Sequence, residues 1–99
     1  MIVRSDKTLS LFRGPGPCAW CGRWHPRRHA AHVLARGAGG GSRLDVPLNL
    51  VSLCPDCHQG HHAGRRPLRC DLLALVAARE GLLQGDVEAE LFRLRRAPK

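Results

Sequence analysis

The stretch LCPDCHQGHH, residues 53–62, holds two cysteines and three histidines within ten positions. Whether they serve one metal or two decides the fold. Pro55 suits the first turn of a helix, where its missing N–H would lack an intrahelical partner anyway, and Gly64 suits the end, so a helix is expected from 55 to 63. Cys54 and Cys57 form a C-x-x-C at its start, and Cys18 and Cys21 in CAWCG form another, with 32 residues between the two pairs. Two tight turns that each project two thiolates complete one tetrahedron, the closed arrangement of a structural zinc. Four reduced core thiols and a pair of disulfides are the alternatives. Cys70 is left over and reads as a small apolar residue near a helix start.

With that zinc filled by sulfur, the histidines are left for other work. His58 and His62 stand at i and i+4 and share a helix face. Two imidazoles one turn apart make half of a metal site whose open positions admit water or phosphate, the catalytic pattern. Solvated surface histidines are the plainer alternative. His61 lies off that face and is expected to be a bystander. His32, in AAHVLAR, falls on an expected short strand around 30–34. If the zinc clip brings that strand against the helix, its neutral imidazole can take a proton from water.

The 99 residues bound this to one small domain with a thin core, a size at which folds often need a staple. Sixteen Lys and Arg against eight Asp and Glu leave a net charge of +8, with an isoelectric point near 10.6. That balance points to a polyanionic partner, most often nucleic acid, with plain solubilising charge as the alternative. MIVRSDKTLS has no apolar signal core and no run approaches membrane-spanning length, so the expectation is a cytoplasmic chain without membrane contact. Paired C-x-x-C units in such a chain favour zinc over disulfides.

The remaining chain divides into an N-terminal segment, 1–16, a core, 17–66, and a C-terminal part, 67–99. Residues 1–13 are expected to hold an edge strand, and GPGP at 14–17 reads as a turn. GAGGGSR, 37–43, reads as a flexible loop. Pro47 forbids an uninterrupted central strand across 44–53, while NLVSL extends. Helices are expected at 71–83, capped by Asp71, and at 86–97, capped by Asp86.

The order AHVLARGAGG followed by VPLNLVSLCPDCHQGHH resembles the HNH endonucleases, with their ββα-metal (His-Me finger) core, in the branch stapled by two C-x-x-C knuckles. The resemblance covers roughly Pro17 to Gly64. It implies a small α+β fold carrying a structural zinc and a C-terminal helical extension. It implies a metal-dependent endonuclease that hydrolyses DNA phosphodiester bonds by nicking or double-strand cleavage, leaving 5′-phosphate and 3′-hydroxyl ends. His32 matches the general base. His58 and His62 match ligands of a catalytic Mg²⁺, Mn²⁺, Ni²⁺ or Zn²⁺. Asn49 matches the middle residue, which braces the loop in some members and approaches the metal in others.

One position departs from the pattern. Many members carry Asp or His immediately before the base as a metal ligand, and here Ala31 stands there. His29 shares the parity of Ala31 but lies two residues, roughly 6–7 Å, further along the strand. It substitutes only if the strand bends; otherwise the site has two histidines plus water and phosphate oxygens. Arg27, Arg28, Arg36, Arg43, Arg65 and Arg66 flank the pocket in sequence as candidate contacts to the DNA backbone, with Arg36 the one expected nearest the chemistry. Trp20 and Trp24 are expected to pack as core over the zinc. A zinc-stapled DNA-binding module that has lost catalysis is the alternative function. A docking protein that uses its knuckles inside a larger machine is a third, and a protein partner for targeting is compatible with so small a nuclease.

Overall fold

The computed structural model describes residues 2–34 and 43–96, Ile2 and Arg43 by backbone alone. In chain order the elements are β1 (Ile2–Val3), α1 (Asp6–Phe12), β2 (Gly14–Pro17), β3 (Trp24–His32), β4 (Arg43–Leu44), a 3₁₀ turn at Pro47–Asn49, β5 (Leu50–Leu53), α2 (Pro55–His62), α3 (Arg69–Glu80) and α4 (Gln84–Arg96). The expected α+β class is what the chain adopts: β2, β3 and β5 make a three-stranded antiparallel sheet with β3 central, and β1 pairs with β4 in parallel. Among the described residues no helix is long and apolar enough to cross a membrane.

GPGP is not the expected turn. It is an edge strand, where a proline's missing donor faces no partner. Gly16, at φ +152°, lets the Arg28 guanidinium lie against the strand, and an added Cβ there would come within 2.7 Å of it. Arg28 donates to the carbonyls of Gly14 and Pro17, each at 3.2 Å. Pro26 is tolerated inside β3 because the register shifts there: Gly14 pairs with Arg28 and Gly16 with His25, so Pro26 and Arg27 stand opposite Pro15 alone. Strand β3 therefore starts at Trp24 rather than near Ala30.

The expected N-terminal edge strand is confined to Ile2–Val3. A helix follows because the Ser5 hydroxyl accepts from the Thr8 N–H at 3.1 Å and caps it. Helix α2 starts at Pro55 and is followed by Gly64 at φ +78°, as its sequence signals require. Helix α3 begins two residues earlier than expected. Asp71 lies inside its first turn, accepting from the Leu68 N–H at 2.8 Å and from Arg66.

Helices α3 and α4 bury Leu72, Leu73, Val76, Val87 and Leu91 in one cluster with Ala31, Val33, Leu34, Leu44, Val51, Leu53, Cys18 and Cys54. Each fully buried Leu or Val contributes about 1.5–3 kcal/mol, so the helices supply much of what the small sheet lacks. Arg79 of α3 donates to the carbonyls of Leu50 (2.7 Å) and Pro47 (2.6 Å) and covers the Phe12 ring, tying the helix to the sheet. Trp20 is half-buried under the Arg66 guanidinium as a core-edge residue. Trp24, contrary to expectation, is exposed, at the rim of a shallow pocket it shares with Cys54, Pro55 and Asp56. Cys70 is likewise exposed rather than apolar filling.

Asn49 is fully buried. Its Oδ1 accepts from the Leu34 N–H at 2.8 Å, and its Nδ2 donates to the carbonyls of Leu34 (3.3 Å) and Leu44 (3.0 Å). It clamps together the two ends of the segment between β3 and β4. Replacing Asn49 with Ala orphans three buried backbone groups, for an expected loss of about 3 kcal/mol. Urea unfolding of the metal-saturated protein checks this, with a lower midpoint at unchanged m-value.

Candidate metal centre and histidine pocket

The first cysteine pair sits on a turn that closes on itself. The Cys18 N–H donates to the Arg23 carbonyl at 2.8 Å, and the Gly22 N–H, at φ +78°, donates to the Cys18 carbonyl at 3.0 Å. The Ala19 N–H donates to the Ser52 carbonyl at 2.9 Å, which pins the turn to β5. Cys54 caps α2, and Cys57 follows in its first turn. The four sulfur atoms lie within 4.8 Å of one another. Cys21 Sγ and Cys54 Sγ are 3.9 Å apart, close to the ~3.8 Å edge of a tetrahedron with 2.3 Å Zn–S bonds and far from a disulfide's ~2.05 Å. All five cysteines are free.

The electrostatics of the cluster fit a cation. Burial pushes the Cys18 thiol up, but N–H donation from Cys21, Cys54 and Trp20 outweighs it and brings the group down to about 7. Cys57 is pushed far up, first by burial and then by its thiol neighbours. Ionisation is thus favoured at Cys18 and resisted at Cys57, a balance that a bound cation relieves. The four cysteines can hold a metal such as zinc.

A second group forms where β3 meets α2. His32, His58, His61 and His62 line a solvent-open pocket of about 500 Å³ together with Leu9, Arg13 and Ala30. His58 Nε2 lies 3.0 Å from His62 Nε2, a hydrogen-bond distance that also matches two ligands at ~90° on a cation with ~2.1 Å bonds. Burial lowers the His58 pKa to about 4, with the neighbouring His62, His29, His61 and His32 adding to the effect. At neutral pH this ring is therefore uncharged, as a metal ligand must be.

His29 also reaches α2, with its Nδ1 2.9 Å from His58 Nδ1 and the rings edge to face at 5.1 Å. It meets the opposite edge of the His58 ring from His62. Among the described residues, the four cysteines are the one group of three or more such side chains whose ligand atoms converge. His29 thus orients His58 rather than meeting His62 at a common point. Ala31 is fully buried in the apolar cluster, so its side chain faces the core while His32 lines the pocket.

Asn49 is the loop brace described above and does not line the pocket. The His61 Nδ1–H donates to the Pro67 carbonyl at 2.7 Å, which ties the end of α2 to the following turn, so it is more than a bystander. Of the six arginines, Arg28 is committed to β2 and Arg66 to Asp71, while Arg27 and Arg65 are exposed. Arg36 lies outside the described residues, and Arg43 is described by its backbone alone. Two residues that sequence reasoning missed reach the site. Arg13 enters the pocket from the end of α1, and Asp45 pairs with His32 at 2.8 Å while accepting from the Ser5 N–H at 3.0 Å. The one signal for Asp45 is a lone carboxylate within the apolar run LDVPL.

Comparison of the chain with family models, curated proteins and solved structures gives no match.

The two groups should separate experimentally. The wild type is expected to hold one tightly bound zinc per chain. His58→Ala should retain it, and Cys54→Ala should lose it together with cooperative folding. Elemental analysis and thermal unfolding read the two outcomes, and zinc lost in His58→Ala would show that the ligands are partitioned differently.

Proposed function

We propose that the chain is a metal-dependent endonuclease of the HNH type, hydrolysing DNA phosphodiester bonds on a ββα-metal core stapled by zinc at Cys18, Cys21, Cys54 and Cys57. The observation that carries this reading is that His32, from β3, and His58 and His62, from α2, line one pocket. The His58–His62 nitrogen spacing suits a divalent cation, and the net charge of +8 suits a polyanionic substrate.

A divalent cation bound by His58 and His62 supplies charge stabilisation to the phosphate as negative charge builds on it. The protein's own groups do the rest. His32 engages Asp45 through Nε2, so Nδ1 is the nitrogen left to take a proton from the attacking water. Arg13 lines the same pocket and offers planar donors to a backbone phosphate. His29 holds the His58 ring from its other edge. A zinc-stapled DNA-binding module without catalysis is the second reading, favoured by the burial of Ala31, which leaves that position without a ligand.

Supercoiled plasmid incubated with Mg²⁺, Mn²⁺, Ni²⁺ or Zn²⁺ tests the proposal. Nicking by the wild type with at least one metal, reduced by about 10²-fold or more in His32→Ala while the structural zinc is retained, is expected. Binding without nicking under every metal would favour the second reading. Arg13→Ala is expected to weaken DNA binding and to reduce its salt dependence by about one phosphate contact, measured by titration at several salt concentrations.

A further inference from the structure

Asp45 is buried to 1% exposure, and a carboxylate so placed costs several kcal/mol unless its oxygens are paired. Both oxygens have donors: Oδ2 accepts from the Ser5 N–H at 3.0 Å, and Oδ1 lies 2.8 Å from His32 Nε2. An ionised carboxylate only accepts, so the hydrogen of the second bond belongs to Nε2. That leaves the lone pair of the His32 ring on Nδ1. The side chain of His32 retains 17% exposure and lines the pocket, whereas that of Asp45 is wholly enclosed.

We propose that Asp45 is the positioning residue for His32, holding its proton on Nε2 so that Nδ1 serves as the base, and that the N-terminal segment is built into the site to hold Asp45. The inference rests on the nuclease reading. In the step it serves, a water proton passes to His32 Nδ1 and the water oxygen bonds to phosphorus. The bond from phosphorus to the 3′-oxygen breaks, and that oxygen takes a proton from solvent. The imidazolium formed on the way is stabilised by the Asp45 carboxylate, and it returns to neutral by releasing the Nδ1 proton to solvent.

The N-terminal segment contributes at three points. The Asp45 N–H donates to the Val3 carbonyl at 2.9 Å, which continues the β1–β4 pairing. The Ser5 N–H clamps Oδ2, and Ser5 is itself fixed as the cap of α1. That helix then presents Leu9 to the pocket, with Arg13 just beyond its end.

Asp45→Asn separates the possibilities, because an amide offers one acceptor oxygen where the carboxylate offers two. With its oxygen on the Ser5 N–H, its NH₂ faces Nε2 and drives the ring hydrogen to Nδ1. Long-range ¹H–¹⁵N spectra of His32 are expected to show the Nε2–H tautomer in the wild type and Nδ1–H in the variant. The nicking kcat should fall by about 10²-fold or more, with KM for plasmid within about threefold, a split that general destabilisation would not produce. An Nδ1–H tautomer in the wild type overturns the proposal, even if the variant fails to fold. So does a variant with unchanged tautomer or unchanged kcat while the wild type nicks. If the wild type fails to nick under every one of the four metals, it is the nuclease reading that falls, and the catalytic role of Asp45 with it, while the tautomer still reports on the pair.

Discussion

Four sulfur atoms drawn to within 4.8 Å of one another join the turn after β2 to the first residues of α2. Nearly every other feature of the site depends on that junction. A chain of 99 residues buries little apolar surface, and a domain of this size is stable by only about 5–15 kcal/mol. A structural zinc in a four-ligand site is worth roughly 10–16 kcal/mol in small peptides, comparable to that whole margin. The cluster also sets direction. Cys54 is the cap of α2 and Cys57 lies in its first turn, so fixing their sulfurs fixes the helix and with it His58 and His62. The Ala19–Ser52 hydrogen bond carries the constraint into the sheet that bears His32.

Beyond the sulfur cluster, the polar chemistry is arranged by depth. His58 is kept neutral by burial and by the imidazoles around it, which leaves its nitrogens available as ligands. Asp45, deeper still, is stabilised by specific donors, one from the N-terminal segment and one from the end of β3. Positive charge is divided by the same logic. Arg28, Arg66 and Arg79 are occupied by carbonyls or a carboxylate within the fold. Their charges still count toward the formal +8, but these N–H donors are engaged within the fold.

The features that local chemistry decides were legible in the sequence. Pro55 and Gly64 bound α2, two C-x-x-C spacings anticipated the converging cysteines, and an i, i+4 spacing put His58 and His62 on one face. The failures have a common origin. GPGP resembles a turn by composition, yet it is a strand because it pairs on one side only. Asp71 and Trp24 were misplaced because a cap and an exposed ring depend on which neighbours arrive from elsewhere in the chain.

What the sequence determined by itself is therefore each C-x-x-C pair and the helix that carries Cys57, His58 and His62, since these follow from spacings of four residues or fewer. Only the tertiary structure decided how they are used. Ala31 faces the core while His32 lines the pocket, Asn49 braces a loop, and His29 meets the far edge of the His58 ring. Arg13 and Asp45 reach the site from distant segments, and only the lone carboxylate in LDVPL hints at the second. The reason is physical: the partner of a buried charge is set by the register and packing of distant segments. Ser5 and Asp45 are 40 residues apart, and they are brought together by the pairing of two two-residue strands.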